Sequence, residues 1–184
     1  ILDSNGEGSL QIEDIDNGSS DNCGIDTMTL SQELFDCSDV GVHDVTLTIV
    51  DASGLTGSCT TQVTVVNNVP PTISCTLENT RDADTYTCTY TVQADEFDPS
   101  ADDNCNYTLT NNLNNSPTLA GVVLPKGSYP IIWTATDETG NVATCQILIE
   151  IIDVTLPKAF CQDITVPLDD TGHASIVAAD IDGG

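Results

Sequence analysis

Two residue types in this chain are placed to do chemistry, cysteine and aspartate. There are eight cysteines: Cys23, Cys37, Cys59, Cys75, Cys88, Cys105, Cys145 and Cys161. None forms a C-x-x-C pair, which argues against a zinc ribbon or a thioredoxin-type centre. Neighbouring cysteines stand 13 to 40 residues apart. That spacing suits disulfides stapling a β framework, and hence an oxidising, secreted or cell-surface compartment. The acidic residues recur in a pattern. Asp14-x-Asp16, followed by Asp21-Asn22-Cys23, is matched by Glu96-x-Asp98, followed by Asp103-Asn104-Cys105, and Asp180-x-Asp182 opens the motif again. Other chemistry finds little support. His43 and His173 have no neighbouring nucleophile pattern, and they align with Tyr129 and Glu7 in the internal repeat, so neither position demands an imidazole. Asp102-Asp103 and Asp169-Asp170 are adjacent pairs, whereas glycosidase carboxylates face each other across a cleft. No glycine-rich phosphate loop is present, and the chain reads as non-enzymatic.

The charge balance excludes further classes. The 184 residues hold three Lys and Arg against 29 Asp and Glu, a formal charge of −26. A nucleic-acid binder needs clustered cations to neutralise phosphates, and a polybasic membrane-surface protein needs the same. Apolar runs such as Ile147-Leu148-Ile149 fall far short of the roughly 18 residues of a membrane-spanning helix. Hydrophobic residues make up 39% of the chain, too many for a disordered acidic tail. Ile1 opens no charged leader, so the chain reads as a mature fragment. Asn17, Asn106 and Asn114 match the N-glycosylation acceptor, a pattern that short polar chains also produce by chance.

Internal repetition organises the sequence. Leu2–Gly18 and Leu168–Gly184 align without a gap at an offset of 166, with eight of 17 positions identical. At an offset of 86, Cys59 meets Cys145, Cys75 meets Cys161, Asp51 meets Asp137, Gly54 meets Gly140 and Pro71 meets Pro157. At an offset of 82, Asp21-Asn22-Cys23 meets Asp103-Asn104-Cys105. The sequence is therefore expected to hold the back of one module (1–67), a complete module (68–153) and the front of a third (154–184), cut from a tandem array.

Alternation at period two runs through the modules. Val45, Leu47 and Ile49 correspond to Ile131, Trp133 and Ala135 on one inward face. Thr61, Val63 and Val65 correspond to Ile147, Ile149 and Ile151, and Cys59 and Cys145 share their parity. Asp51-Ala52-Ser53-Gly54 and Asp137-Glu138-Thr139-Gly140-Asn141 read as hairpin turns. Short strands with regular turns predict an all-β chain of tandem immunoglobulin-like β-sandwich modules, with Trp133 in the core. In such a sandwich the loop carrying Asp14, Asp16 and Asp21, or Glu96, Asp98 and Asp103, lies at the same end as the loop opened by Asp51 or Asp137. The incoming linker brings Asn67 and Asn68, or Asp153, to that end as well. Calcium, a hard cation taking roughly six to eight oxygen ligands, would relieve the repulsion. The expected ligands are Asp14, Asp16, Asp21, Asp51, Glu96, Asp98, Asp103, Asp137, Asp153, Asp180 and Asp182. The bland alternative is solvated surface acid that maintains solubility.

The segments "DDNC" (Asp102–Cys105), "LPKGSYPIIWTATDETGNVATC" (Leu124–Cys145) and "IIDVTLP" (Ile151–Pro157) resemble the hyalin repeat, a sandwich module of extracellular adhesive proteins. The alternate module is similar to companion repeats in large surface adhesins of Bacteroidota, gliding-type adhesins among them. The resemblance implies extracellular adhesion or spacing without catalysis. Its expected partners are neighbouring repeats or subunits of one fibre, with surface glycans a further possibility. A glycan-binding accessory module of a secreted enzyme is the alternative, but it needs an exposed aromatic platform and aromatics are only 4% of the chain.

Repeat arithmetic also predicts the disulfides. Cys75 and Cys145 flank one sandwich and should pair, which leaves Cys88 to pair with Cys105. Cys23 and Cys37 should pair locally. Cys59 and Cys161 occupy the Cys145 and Cys75 positions of incomplete modules, so their partners are expected in a neighbouring repeat or subunit.

Overall fold

A computed structural model describes residues 1–75 and 79–183. Gly184, the last position of the long repeat, lies outside them. The strands in chain order are β1 (Gly8–Ser9), β2 (Ile25–Leu30), β3 (Leu34–Phe35), β4 (Gly41–Asp51), β5 (Thr56–Val65), β6 (Thr72–Ser74) and β7 (Thr80–Asp82). There follow β8 (Thr89–Thr91), β9 (Ser100–Asp102), β10 (Tyr107–Asn111), β11 (Val123–Pro125), β12 (Gly127–Asp137) and β13 (Val142–Ile152). Two four-residue helices, α1 (Ile12–Ile15) and α2 (Ala178–Ile181), are too short to leave a helical period in the sequence. Each is closed by its own aspartate: Gln11 N donates to Asp14 and Val177 N donates to Asp180, both at 2.8 Å. None of the described helices is long and apolar enough to cross a membrane.

The protein is all-β, built of immunoglobulin-like units. Two long antiparallel hairpins form its frame. In β4–β5, Gly41 faces Val65 and Leu47 faces Cys59. In β12–β13, Gly127 faces Ile151 and Trp133 faces Cys145. Every one of these positions is shifted by 86, so the sequence repeat is also a repeat of register. The turns are built alike. Asp51 Oδ1 accepts from Ser53 N and Leu55 N at 2.8 Å each, and Asp137 Oδ1 accepts from Thr139 N at 2.9 Å and Asn141 N at 2.7 Å. Gly54 and Gly140 take the left-handed conformation (φ 78° and 91°) that closes both turns, where an L side chain would be strained. β2 extends the first hairpin into a three-stranded sheet, while β10 and β7 extend the second into four strands, β7 lying parallel to β13.

Two apolar cores lie on these sheets. The larger holds Trp133, Phe97, Leu119, Leu124, Ile131 and Ile149 among its buried members, with the first three and Ile149 wholly inaccessible to solvent. Cys75 and Cys145 are bonded across it, with Cα atoms 5.7 Å apart, and Trp133 stands opposite Cys145 in the ladder. The smaller core joins Leu2, Phe35, Val45 and Val65. The entry to each core is equivalent: Leu2 N donates to Val66 O at 2.9 Å, and Ala83 N donates to Ile152 O at 2.7 Å. The cores differ in completeness. β6 and β9 pair over the β12–β13 side, and β6 makes contacts with both of those strands. Over β4–β5 the corresponding strand is missing among the described residues, so Cys59 and Thr61 are exposed where Cys145 is partly buried and Ile147 buried. Residues 154–183 expose every side chain.

Candidate functional site

The place where the two cores meet is the most elaborated polar site in the molecule. It is built on Asn67, which is 3% exposed and lies two residues beyond β5. Asn67 Oδ1 accepts from Val69 N at 3.0 Å, a turn that redirects the chain towards β6. Its amide Nδ2 donates to Asn104 Oδ1 at 3.0 Å and to Asp137 Oδ2 at 3.3 Å. Its backbone carbonyl accepts from Thr139 Oγ1 at 2.9 Å and from Asn141 Nδ2 at 3.0 Å. Asn104 reaches onward, its Nδ2 donating to the Asp3 carbonyl at 2.7 Å. A linker, two loops of the larger unit and the Asp3–Glu7 turn of the smaller one are thereby tied together.

A disulfide crosses the same boundary. Cys37, in the turn after β3, is bonded to Cys105, just before β10, with Cα atoms 5.5 Å apart. Gly6 makes room for it: a Cβ at Gly6 would stand 2.6 Å from Cys37 Sγ and 2.7 Å from Asn104 O. Its φ of 76° also suits glycine alone. An open cleft lined by Glu7, Asp36, Ser38 and Glu138 gives solvent a route to Cys37.

This bond corrects two expected pairings. Cys23 does not bond to Cys37, and Cys88 does not bond to Cys105; Cys23, Cys59, Cys88 and Cys161 all carry exposed free thiols. The reason is distance along the strands. Cys23 sits at the Asp51 end of β4, whereas Cys37 sits at the Gly41 end, the far end of that eleven-residue strand. Cys88 lies at the Gly127 end of β12, with Lys126 N donating to Cys88 O, whereas Cys105 lies at the Asp137 end. Such a strand spans about 35 Å, while bonded cysteines need Cα atoms within about 7 Å.

Asp137 shows how the site handles charge. It is 5% exposed. Burial pulls its pKa upward, but donors from Asn141 and Thr139 outweigh that and hold it below the ordinary carboxylate value of 3.8. Asn141 Nδ2 and Asn67 Nδ2 both serve Oδ2, so amide and hydroxyl donors do the work proposed for a cation.

The expected calcium ligands are accordingly dispersed. Glu96 pairs with Arg81 at 2.8 Å and accepts from Tyr90 Oη at 2.7 Å. Burial raises its pKa, and the Gln93 backbone N–H, Tyr90 and Arg81 bring it below the usual value. Asp98 accepts from Leu119 N at 2.9 Å. Asp14 and Asp180 close their helices, and Asp16, Asp21, Asp51 and Asp153 accept backbone N–H groups of their own turns. Asp182 follows α2, and Cys161 and Asp182 form a β-bridge. Asp103 accepts from Cys105 N through Oδ2, while its Oδ1 is buried without a hydrogen-bond partner. Among the described residues no three His, Cys, Asp or Glu side chains are grouped to hold a metal ion. Sequence reasoning placed Asn67 and Asp137 at one end but missed Asn104, Thr139 and Asn141 as the donors. Asn141 and Thr139 carried a signal, since they flank Gly140 in a turn opened by an aspartate.

The remaining candidates have structural partners. The His43 ring contacts the Asp39 carbonyl and packs against Phe35 with centroids 6.0 Å apart. The aromatic rings most exposed, Tyr86, Tyr107 and Phe160, stand on separate segments and form no platform.

Similar proteins are found at two levels. The solved structures it resembles include extracellular cadherin domains 1–4 of protocadherin Gamma B7, at 17% identity and a TM-score of 0.32, covering 71% of this chain and 42% of that one. They also include domains EC1-2 of human mucin-like protocadherin, at 14% identity and a TM-score of 0.30, covering 81% of this chain and 85% of that one. The chain thus spans under half of the first of these. At the level of sequence families, residues 66–151, from the junction to the end of β13, match the HYR domain.

Proposed function

We propose that this chain is a structural segment of an extracellular adhesive protein, a stalk or fibre built from end-to-end units with bounds near 1–67, 68–153 and 154–184. Its function is mechanical: to space and project. The match of residues 66–151 to the HYR domain supports the extracellular setting, and so do two disulfides in so small a chain. The observation that carries the reading is the joint. Flexible units need only a linker, but here Cys37–Cys105 and the Asn67–Asn104–Asp137 network clamp the linker on both sides. Inter-domain contacts are mobile by default unless something fixes them, and a covalent bond beside a buried hydrogen-bonded network fixes them. The joint therefore resists bending, which is what a spacer requires.

Small-angle scattering of the oxidised and the reduced chain tests this. A stiff joint gives one extended profile when oxidised and a broader distribution of shapes once Cys37–Cys105 is opened. A broad distribution in the oxidised chain would contradict the spacer reading.

A further inference from the structure

We propose that the four exposed thiols are the two halves of a second joint, made head to tail with a second copy of this chain through the bonds Cys88–Cys23 and Cys161–Cys59. The proposal deepens the spacer reading and rests on it.

The molecule contains the template for each bond. Cys75–Cys145 holds β6 over the second hairpin. At the offset of 86, Cys161 stands in the place of Cys75 and Cys59 in the place of Cys145, with Cys59 facing Leu47 as Cys145 faces Trp133. Cys59 lines a shallow groove with Ser19, Leu47, Ile49, Gly57 and Ser58. That groove is where the strand equivalent to β6 belongs. The segment around Cys161 exposes its side chains in its own chain, and its backbone pairs there with residues 181–183 through a single β-bridge and flanking hydrogen bonds. The acceptor already seats its own Leu2, which is 2% exposed; among the described residues the counterparts of β6 and β7 are what its sheet lacks.

The second bond repeats Cys37–Cys105. Cys23 is the counterpart of Cys105 in the Asp-Asn-Cys motif. Cys88 is the counterpart of Cys37 in space rather than in sequence. The hairpin Asp84–Thr89 closes as Asp3–Glu7 does, with Asp84 N donating to Thr89 O at 2.7 Å and Asp3 N donating to Glu7 O at 2.8 Å. Cys88 occupies the part of that hairpin where Gly6 lies in the other, and a Cβ on Gly6 would meet Cys37 Sγ. One hairpin carries the sulfur itself, and the other leaves space for a sulfur from the next turn. Asp153 then takes the role of Asn67: its Oδ1 accepts from Thr155 N at 2.9 Å, as Asn67 Oδ1 accepts from Val69 N. Its Oδ2 is 4.0 Å from Cys88 Sγ, which places thiol and linker at the same end of β13.

The ends also match in polarity. The existing joint pairs the Gly41 end of one hairpin with the Asp137 end of the other. The proposed joint pairs the Gly127 end of one copy with the Asp51 end of the second. Such a contact is heterologous and does not close on itself, so it propagates as a filament. Each bond forms from two thiols, which lose two protons and two electrons to a disulfide oxidant that leaves as two thiols.

The test uses the 184-residue chain with oxidised glutathione as the oxidant. Salt is held near 0.15 M, where surface charge is screened over about 8 Å. Non-reducing gels should show a ladder, and peptide mapping should find Cys88–Cys23 and Cys161–Cys59 between chains. A donor variant (C23S and C59S) and an acceptor variant (C88S and C161S) should each stay monomeric, while their mixture yields a covalent dimer and nothing longer. G57F, which fills the groove from a position with ordinary space for a Cβ, should suppress the ladder with every thiol intact. A mixture that stays monomeric, or a ladder from either variant alone, overturns the proposal. A monomer that keeps the stiff scattering profile would sink this joint and leave the spacer reading standing.

Discussion

The two long hairpins share one register and end in opposite situations. β12–β13 is covered by β6, crossed by Cys75–Cys145 and filled by Trp133, and Asp137, which opens the turn at its end, is buried against Asn67. β4–β5 has the same ladder and the same turn, yet among the described residues its inner face is partly open, Cys59 is a free thiol and the Asp51 carboxylate accepts only from N–H groups of its own turn. Local sequence builds the hairpin in both cases. What differs is the neighbour each receives. Hairpin geometry is thus a local property here, and completion of the core depends on the strands that pack over it.

The largest effects should separate the two cores. W133A empties a fully buried site and should cost about 3–5 kcal/mol, while L47A, beside an open groove that can collapse, should cost about 2 kcal/mol. Denaturant unfolding measures both, and equal costs would break the comparison. Opening the joint comes next. The double variant C37S and C105S releases a loop of sequence separation 68, worth about 4 kcal/mol in the chain-entropy account. It should lower the melting temperature and broaden the scattering profile together; a stability loss without added flexibility would show that the bond does not set the joint.

The two turns give a finer contrast. D137A strands the amides of Asn67 and Asn141 in a buried place and should cost about 2–3 kcal/mol, whereas D51A removes only turn hydrogen bonds and should cost about 1 kcal/mol. The same carboxylate gives a pH dependence. Because the folded pKa of Asp137 lies below 3.8, its contribution is complete above that value and is lost as pH falls through the folded pKa. Melting temperature should therefore fall below about pH 4 more steeply in the parent chain than in D137N. The smallest expected effect is that of chelation. With the Asp137 oxygens already served by N–H and O–H donors, EDTA should leave melting unchanged; a drop of several degrees would restore calcium to the joint.

Much of the fold was legible because its signals are periodic. Alternation gave the inward faces, and the offset of 86 gave a register that the ladders repeat residue for residue. The junction was legible only in part. Asn67 and Asp137 were placed at one end by loop order, but carboxylates were read as cation ligands because the sequence does not show which amides face them. The disulfides were the hardest to read. Cys37 meets Cys105 across the boundary beside Gly6, a contact no alignment shows, and nearness in sequence misled where an eleven-residue strand separates the ends.

The claim that a covalent joint links consecutive units is tested most directly by mapping the disulfides of the oxidised monomer. Proteolysis without reduction, followed by mass spectrometry, should recover one linked peptide pair containing Cys37 and Cys105 and another containing Cys75 and Cys145. A monomer that instead yields Cys23 bonded to Cys37, or Cys88 bonded to Cys105, would place every bond within a unit and contradict the account.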